Sequence, residues 1–211
     1  MLGFPIGVLT ANAFEWYAHK AWLHDYPKKH RNSIFFSHIR HHKRVRTQGF
    51  YDEHYRQSLF QSQEIYFEKT SLVSLCVVTT AAAPVAPFFT LGTYYAAWNY
   101  WRCHKKAHMN PEWGKYHLPW HYDHHMNTHQ DANWCVTRPW FDYIMGTRVI
   151  GEGDHAETNP LGMDLPEWIE RPLNRISKRL LPRIYVQLDR HRQEEHQRRE
   201  KGQEIPIEAV A

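Results

Sequence analysis

Cysteine is scarce in this 211-residue chain: Cys76, Cys103 and Cys135 are the only three. Their count is odd and no CxxC spacing occurs, which excludes a disulfide framework and fits a reducing compartment. Charge of one sign is also missing in excess. The formal net charge is +4, and no basic stripe interleaved with aromatics is present, so a nucleic-acid partner is set aside. The basic residues instead come in short runs, Lys28-Lys29, Lys43-Arg44-Val45-Arg46, Lys105-Lys106 and the tail after Arg171. These runs border apolar segments, a pattern that suits an anionic membrane surface. The first residues lack the basic start of a cleavable signal peptide, so Met1–Tyr17 is expected to belong to the fold. No HExxH is found, nor a pair of Glu-x-x-His motifs, nor a Ser/His/Asp or Cys/His arrangement. A soluble zinc hydrolase and a carboxylate-bridged di-metal bundle are thereby disfavoured.

What the chain has in abundance is histidine, 17 residues, together with 15% aromatics that include 9 Trp. An average soluble protein of this size carries only a handful of histidines. The length allows one domain with a core and leaves no room for a reductase domain. From Thr70 to Trp101 there is no charged residue. A single crossing would put the histidines before and after this segment on opposite sides of a membrane. One shared site therefore requires a hairpin that turns near Pro84-Val85-Ala86-Pro87, with arms of about 16 residues, or roughly 24 Å. That is a little under the ~30 Å of a hydrocarbon core, so the hairpin is expected to go most of the way through. Residues 1–27 read as a helix, apolar at first and polar at its end. A Gly/Pro-punctuated loop from Gly151 precedes a basic amphipathic helix from about Pro172 to Arg199.

The histidines fall into motifs: His19-x4-His24, His38-x2-His41-His42, His104-x3-His108 and His121-x2-His124-His125. On a helix, i, i+3 and i+4 share a face, so each HxxHH aims three imidazoles at one place. The pair His19/His24, at i and i+5, is splayed by about 140° on an α-helix and needs either two different metals or local unwinding. Ten imidazoles are too many for one ion and about right for two. Imidazole binds Fe, Zn, Cu and Ni alike, so ligand type does not name the metal. Glu15, one turn before His19, is expected to take the free N–H of that imidazole, and Asp123 is a further candidate for such a role. His117 and His129 flank the last motif by one turn and are candidates as ligands or ligand partners. His30, His54, His155, His191 and His196 read as ordinary solvent-exposed histidines.

This pattern resembles the fatty acid hydroxylase / sterol desaturase superfamily of membrane di-iron enzymes over roughly residues 12–148. Glu15 to His24 is similar to the family's E-aromatic-x-x-H-R-x-x-x-H stretch, with Lys20 in place of the usual arginine. Ser37 to His42 and His104 to His108 fit its HxxHH and HxxxH. The region Asn133-Trp134-Cys135-Val136-Thr137 and Phe141-Asp142-Tyr143-Ile144-Met145-Gly146-Thr147 resembles its N-Y-G-V-T and W-D-x-x-F-G-T. Cys135 stands where glycine is usual and Phe141 where tryptophan is usual, and the N-terminal helix pair is reduced to one short segment. The resemblance implies an all-α, membrane-associated bundle, with a di-iron domain over 1–150 and a loop plus helix over 151–211. A polar, His-rich helical cap would hold two iron ions, with zinc a possible occupant on purification, at the cytoplasmic membrane face. It further implies O2-dependent hydroxylation of a lipid C–H bond, fed by a separate cytochrome b5-, ferredoxin- or rubredoxin-like carrier. Lipid desaturation on the same site and a non-catalytic metal-binding membrane protein are the alternatives. The basic loops, Lys105 and Lys106 among them, are candidate docks for an acidic carrier.

Overall fold

The computed structural model describes residues 2–58, 61–128, 130–151 and 167–183, together with positions 185, 186, 190, 193, 197 and 200–202. Among these residues there are helices, turns and loops and no strand, so the all-α expectation holds. The chain opens with α1 (Gly3–Ala18), which continues without a break into a π-helical segment (His19–Asp25) and a short α2 (Tyr26–Lys29). Next come α3 (Phe36–Thr47), a 3-10 turn (Glu53–Arg56), α4 (Gln63–Thr80) and α5 (Pro87–Met109). Three shorter helices follow, α6 (Pro111–His117), α7 (Pro119–Met126) and α8 (Trp140–Met145). α9 (Glu167–Leu180) closes the described part.

The boundaries follow local chemistry. Pro87, Pro111 and Pro119 open α5, α6 and α7, the one helical position where a missing N–H and a fixed φ are no handicap. Ser62 caps α4 by accepting from the N–H of Ile65, and Asn110 caps α6 by accepting from that of Trp113. Gly146 ends α8 in the left-handed conformation, φ 68°, where a residue without Cβ is favoured.

α4 and α5 form the hairpin expected from the uncharged segment, and the chain turns over 81–86. α1 lies against α5 at a glycine crossing. A Cβ on Gly7 would overlap the carbonyl oxygen of Phe89, and one on Gly92 that of Phe4, so only glycine lets the two backbones meet there. No helix among the described residues is long and apolar enough to cross a membrane. The hairpin and α1 nevertheless expose Leu2, Ile6, Val73, Val77, Val78, Val85 and Leu91, the valine at the turn being 87% exposed. Among the described residues the larger apolar core cluster joins Val45, Phe50, Cys103, Ala107, Leu118 and Trp120, close to the histidine motifs, and a smaller one joins Tyr143 and Ile150.

α9 begins at Glu167 and carries Pro172 within it, so the C-terminal helix starts earlier than the sequence pattern indicated. Its apolar residues Trp168, Ile176 and Leu180 are exposed. The loop expected from Gly151 lies outside the described residues, as do His129, His155, His191 and His196.

Candidate metal centre

All ten motif histidines converge between α1 and its π-helical extension, α3, the polar end of α5, and α7. His19, His24, His38, His42 and His124 form one group and His41, His104, His108 and His125 a second; within each, the candidate ligand atoms lie within 4.8 Å of one another. His121 adjoins the second group, its Nε2 3.1 Å from the Nε2 of His108. Nine of the ten are buried, and His38 is partly so. The two groups touch: the rings of His42 and His125 lie 4.1 Å apart, 30° from parallel.

The odd spacing of His19 and His24 is resolved by the π-helix. A π turn closes i→i+5 hydrogen bonds, seen where the N–H of Tyr26 bonds the carbonyl of Ala21. The wider turn returns i+5 to the same face, and the two rings sit 5.2 Å apart in one group. Of the two readings the sequence left open, local unwinding is the one realised.

Each group is held from behind, but by different atoms. His19 Nδ1 is 2.6 Å from the carbonyl oxygen of Trp134, and His124 Nδ1 is 2.6 Å from that of Ala132. In the second group, His41 Nδ1 meets Asp52 at 2.8 Å, His104 Nδ1 meets Glu68 at 2.7 Å, and His108 Nδ1 meets the carbonyl of Phe50 at 3.0 Å. Because all five partners are acceptors, the ring proton sits on Nδ1 and the Nε2 lone pair faces inward. Such outer partners fix tautomer and ring direction in metal sites.

Among the described residues, Phe50 and Asn133 are the two non-glycine positions with left-handed backbone, φ 76° and 59°. Both belong to segments whose carbonyls back a histidine. Backbone strain of this kind persists only where its surroundings over-determine it. Around Asn133 those surroundings are visible. Its side chain donates to the carbonyl of Val149 and accepts from the N–H of Val149 and from Arg148. Asp142 accepts from the N–H groups of Trp134 and Cys135.

Glu15 is placed differently from the sequence expectation. It accepts from the backbone N–H groups of Val136 and Thr137 and from the Thr137 hydroxyl, leaving the His19 imidazole to Trp134. The helix is still α between the two, with the His19 N–H bonded to the Glu15 carbonyl. The Glu15 carboxylate, however, is claimed by Val136 and Thr137, so Glu15 acts on His19 through the loop that carries Trp134. Burial pushes its carboxyl up to about 7, against the opposing pull of the Thr137 and Val136 hydrogen bonds. Asp123 likewise turns outward, to the guanidinium of Arg148 at 2.9 Å and the N–H of Gly151 at 3.0 Å. His117 does not reach the centre; it is exposed and stacked on Trp113 at 4.7 Å. Pro119 forces Leu118 out of helical geometry, so α6 and α7 are separate helices and the one-turn relation between His117 and His121 is lost. Sequence reasoning did not find Asp52, Glu68, or the three backing carbonyls. His54, read as a plain surface residue, in fact bonds Asp52 at 2.9 Å.

The chemistry of the donors suits cations. His42 Nε2 lies 3.2, 3.1 and 3.0 Å from the Nε2 atoms of His24, His38 and His124, and one ring proton does not satisfy three such neighbours. In the second group, Nε2 of His41, Nε2 of His104 and both nitrogens of His125 are buried without a hydrogen-bond partner. An orphaned buried polar atom costs about 1–3 kcal/mol, so a few of them claim much of a typical domain stability of about 5–15 kcal/mol. A bound metal removes this cost by taking the lone pairs. Burial, reinforced by repulsion from neighbouring histidines, lowers the pKa of His19, His24, His38, His42, His121 and His125 well below the usual histidine range. His124 is lowered to about 4. Neutral imidazole at neutral pH is the metal-binding form.

A cavity of about 660 Å³ opens onto the two groups, with His19, His38, His41 and His104 in its wall. The rest of the lining is mostly apolar and includes Phe14, Trp22, Leu23, Leu72, Leu75 and Val78. It thus runs from the histidines along the hairpin. No protein-family model, curated protein or solved structure matches the chain.

Proposed function

We propose that this chain is a membrane-associated di-iron oxidoreductase that hydroxylates a C–H bond of a lipid, akin to the fatty acid hydroxylase / sterol desaturase superfamily. The observation that carries the reading is the pair of touching all-histidine groups, members of both of which line a largely apolar cavity. An apolar cavity of this size takes a ligand of lipid-like character. Two irons, when bound by the ten histidines, supply activation of O2 and removal of hydrogen from an unactivated C–H. The chain's own part is to hold and to exclude. Asp52, Glu68 and the carbonyls of Phe50, Ala132 and Trp134 lock five imidazoles with Nε2 inward. Leu72, Leu75 and Val78 position an apolar chain alongside His38 and His41 and keep water from it. The exposed aliphatic side chains of α1 and the hairpin enter the bilayer part-way, which brings the cavity to its substrate without a full crossing. The polar, His-rich end then lies at the cytoplasmic surface.

Mass spectrometry of total lipids from cells expressing the native chain or His124→Ala tests the reading. A lipid that gains one oxygen with the native chain alone is the expected result and identifies the substrate. A lipid that instead loses two hydrogens assigns desaturation to the same site. Identical lipids with a supplied electron donor, despite full iron loading, would leave a non-catalytic metal protein.

A further inference from the structure

We infer that electrons enter this centre by one route, from an acidic one-electron carrier protein docked over Trp101, through Tyr55, to the four-histidine group. The inference rests on the redox reading above and names its partner surface.

The route is continuous. Tyr55 is buried, and its hydroxyl lies 3.0 Å from His104 Nδ1 while donating to Glu68 at 2.8 Å. Its ring stacks on His108, 5.5 Å between centroids and 16° from parallel. The ring of Trp101, which is only partly buried, lies 5.8 Å from that of Tyr55 at a tilt of 45°. Two ring contacts therefore connect a partly exposed indole to two ligands of one metal group.

The surface over Trp101 is cationic. Lys69 from α4 lies 4.4 Å from its ring centre and Lys105, one turn along α5, lies 5.9 Å away. Among the described residues no carboxylate pairs with either ammonium. Arg102 and Lys106 extend the patch, over Trp98 and Trp113. A second indole, Trp134, lies 4.8 Å from His24 and under Lys20. That indole is 2% exposed. There the cations are neutralised, Lys20 by Asp25 and Lys28 by Asp131. Charge complementarity thus selects the Trp101 face for an acidic partner. At each encounter the reduced carrier leaves oxidised by one electron, and the metal at the four-histidine group is reduced by one. Two encounters supply the pair that oxygenation requires.

The test is stopped-flow reduction of the oxidised, iron-loaded full chain by a reduced acidic [2Fe–2S] ferredoxin, with reduced methyl viologen as a small cationic comparison. Lys69→Glu with Lys105→Glu should slow the ferredoxin reaction by roughly 10-fold or more at low salt, the range of electrostatic steering. It should also flatten the salt dependence, while the viologen rate and iron content stay as in the native chain. Trp101→Leu should slow reduction at saturating ferredoxin, and Trp101→Phe should restore much of it. Reversing Lys178 and Arg179 on α9 removes the same charge elsewhere and should leave the rate unchanged. The route fails if viologen reduces every variant normally and ferredoxin reduces the lysine or Trp101→Leu variants at the native rate, or does not reduce the native chain. If neither donor reduces the native chain, the redox reading itself falls.

Discussion

The two histidine groups are close in size and touch one another, yet they are supported in opposite ways. The five-histidine group leans on backbone, through the carbonyls of Trp134 and Ala132 on either side of the left-handed Asn133. The four-histidine group leans chiefly on side chains, the carboxylates of Asp52 and Glu68, with one carbonyl from Phe50. A carbonyl fixes ring direction with little charge, whereas a carboxylate also makes the imidazole a stronger donor. The first kind of support is vulnerable to changes in loop shape and the second to the loss of one charge.

The largest effect should come from the residue that belongs to both groups in practice. His42→Ala removes the ring that three neighbours face and that stacks on His125, and bound metal should fall to background in elemental analysis. A variant that retains one tightly held ion per chain would show that the groups load independently. Asp52→Asn comes next: affinity should drop by about 10–100-fold, as when an outer partner is lost. Metal titration should show that loss confined to one of two binding phases. Uniform weakening of both phases would mean that the two groups share one support. Glu15→Gln acts one step further out, on the loop, and should lower affinity less than Asp52→Asn and in the other phase.

Its pH dependence has a defined sign. The folded pKa is raised, to about 7, so the folded state binds the proton more tightly. The native chain without metal then loses stability as pH rises from the ordinary carboxyl range through about 7. Thermal melts of the metal-free chain should therefore show Glu15→Gln gaining on the native protein over that window. A constant difference would mean that Glu15 titrates normally. The smallest effect is expected for His117→Ala, which should leave metal content and both phases as they are.

The sequence made the clustering of the ten histidines legible because HxxHH and HxxxH repeat at helical spacing, and helices do put those positions together. The hairpin was legible for a similar reason, since an uncharged segment between two halves of one site must return. The supports were not. Asp52 lies eleven residues from His41 and Glu68 thirty-six from His104, distances along the chain that carry no periodic signal. Backing carbonyls belong to every residue type, so Trp134, Ala132 and Phe50 have no signature in composition. His117 failed for a cause present in the sequence: Pro119 breaks the helix whose continuity the assignment assumed. Glu15 was singled out as a partner of His19, but the groups that claim its carboxylate, at Val136 and Thr137, lie 121 and 122 residues along the chain and carry no periodic signal either.

That turn, His19–Asp25, makes the centre sensitive to length rather than to residue type. A π-helix contains one residue more than the α-helix it replaces. Deleting a single position such as Ala21 would let the segment relax to α geometry without removing any ligand. His24 would then sit at i+4 from His19, on the face it already occupies, and the residues after it would keep their places in α2 and the loop to α3. A deletion here is therefore better tolerated at the histidines than an insertion, which would have no wider helix to absorb it.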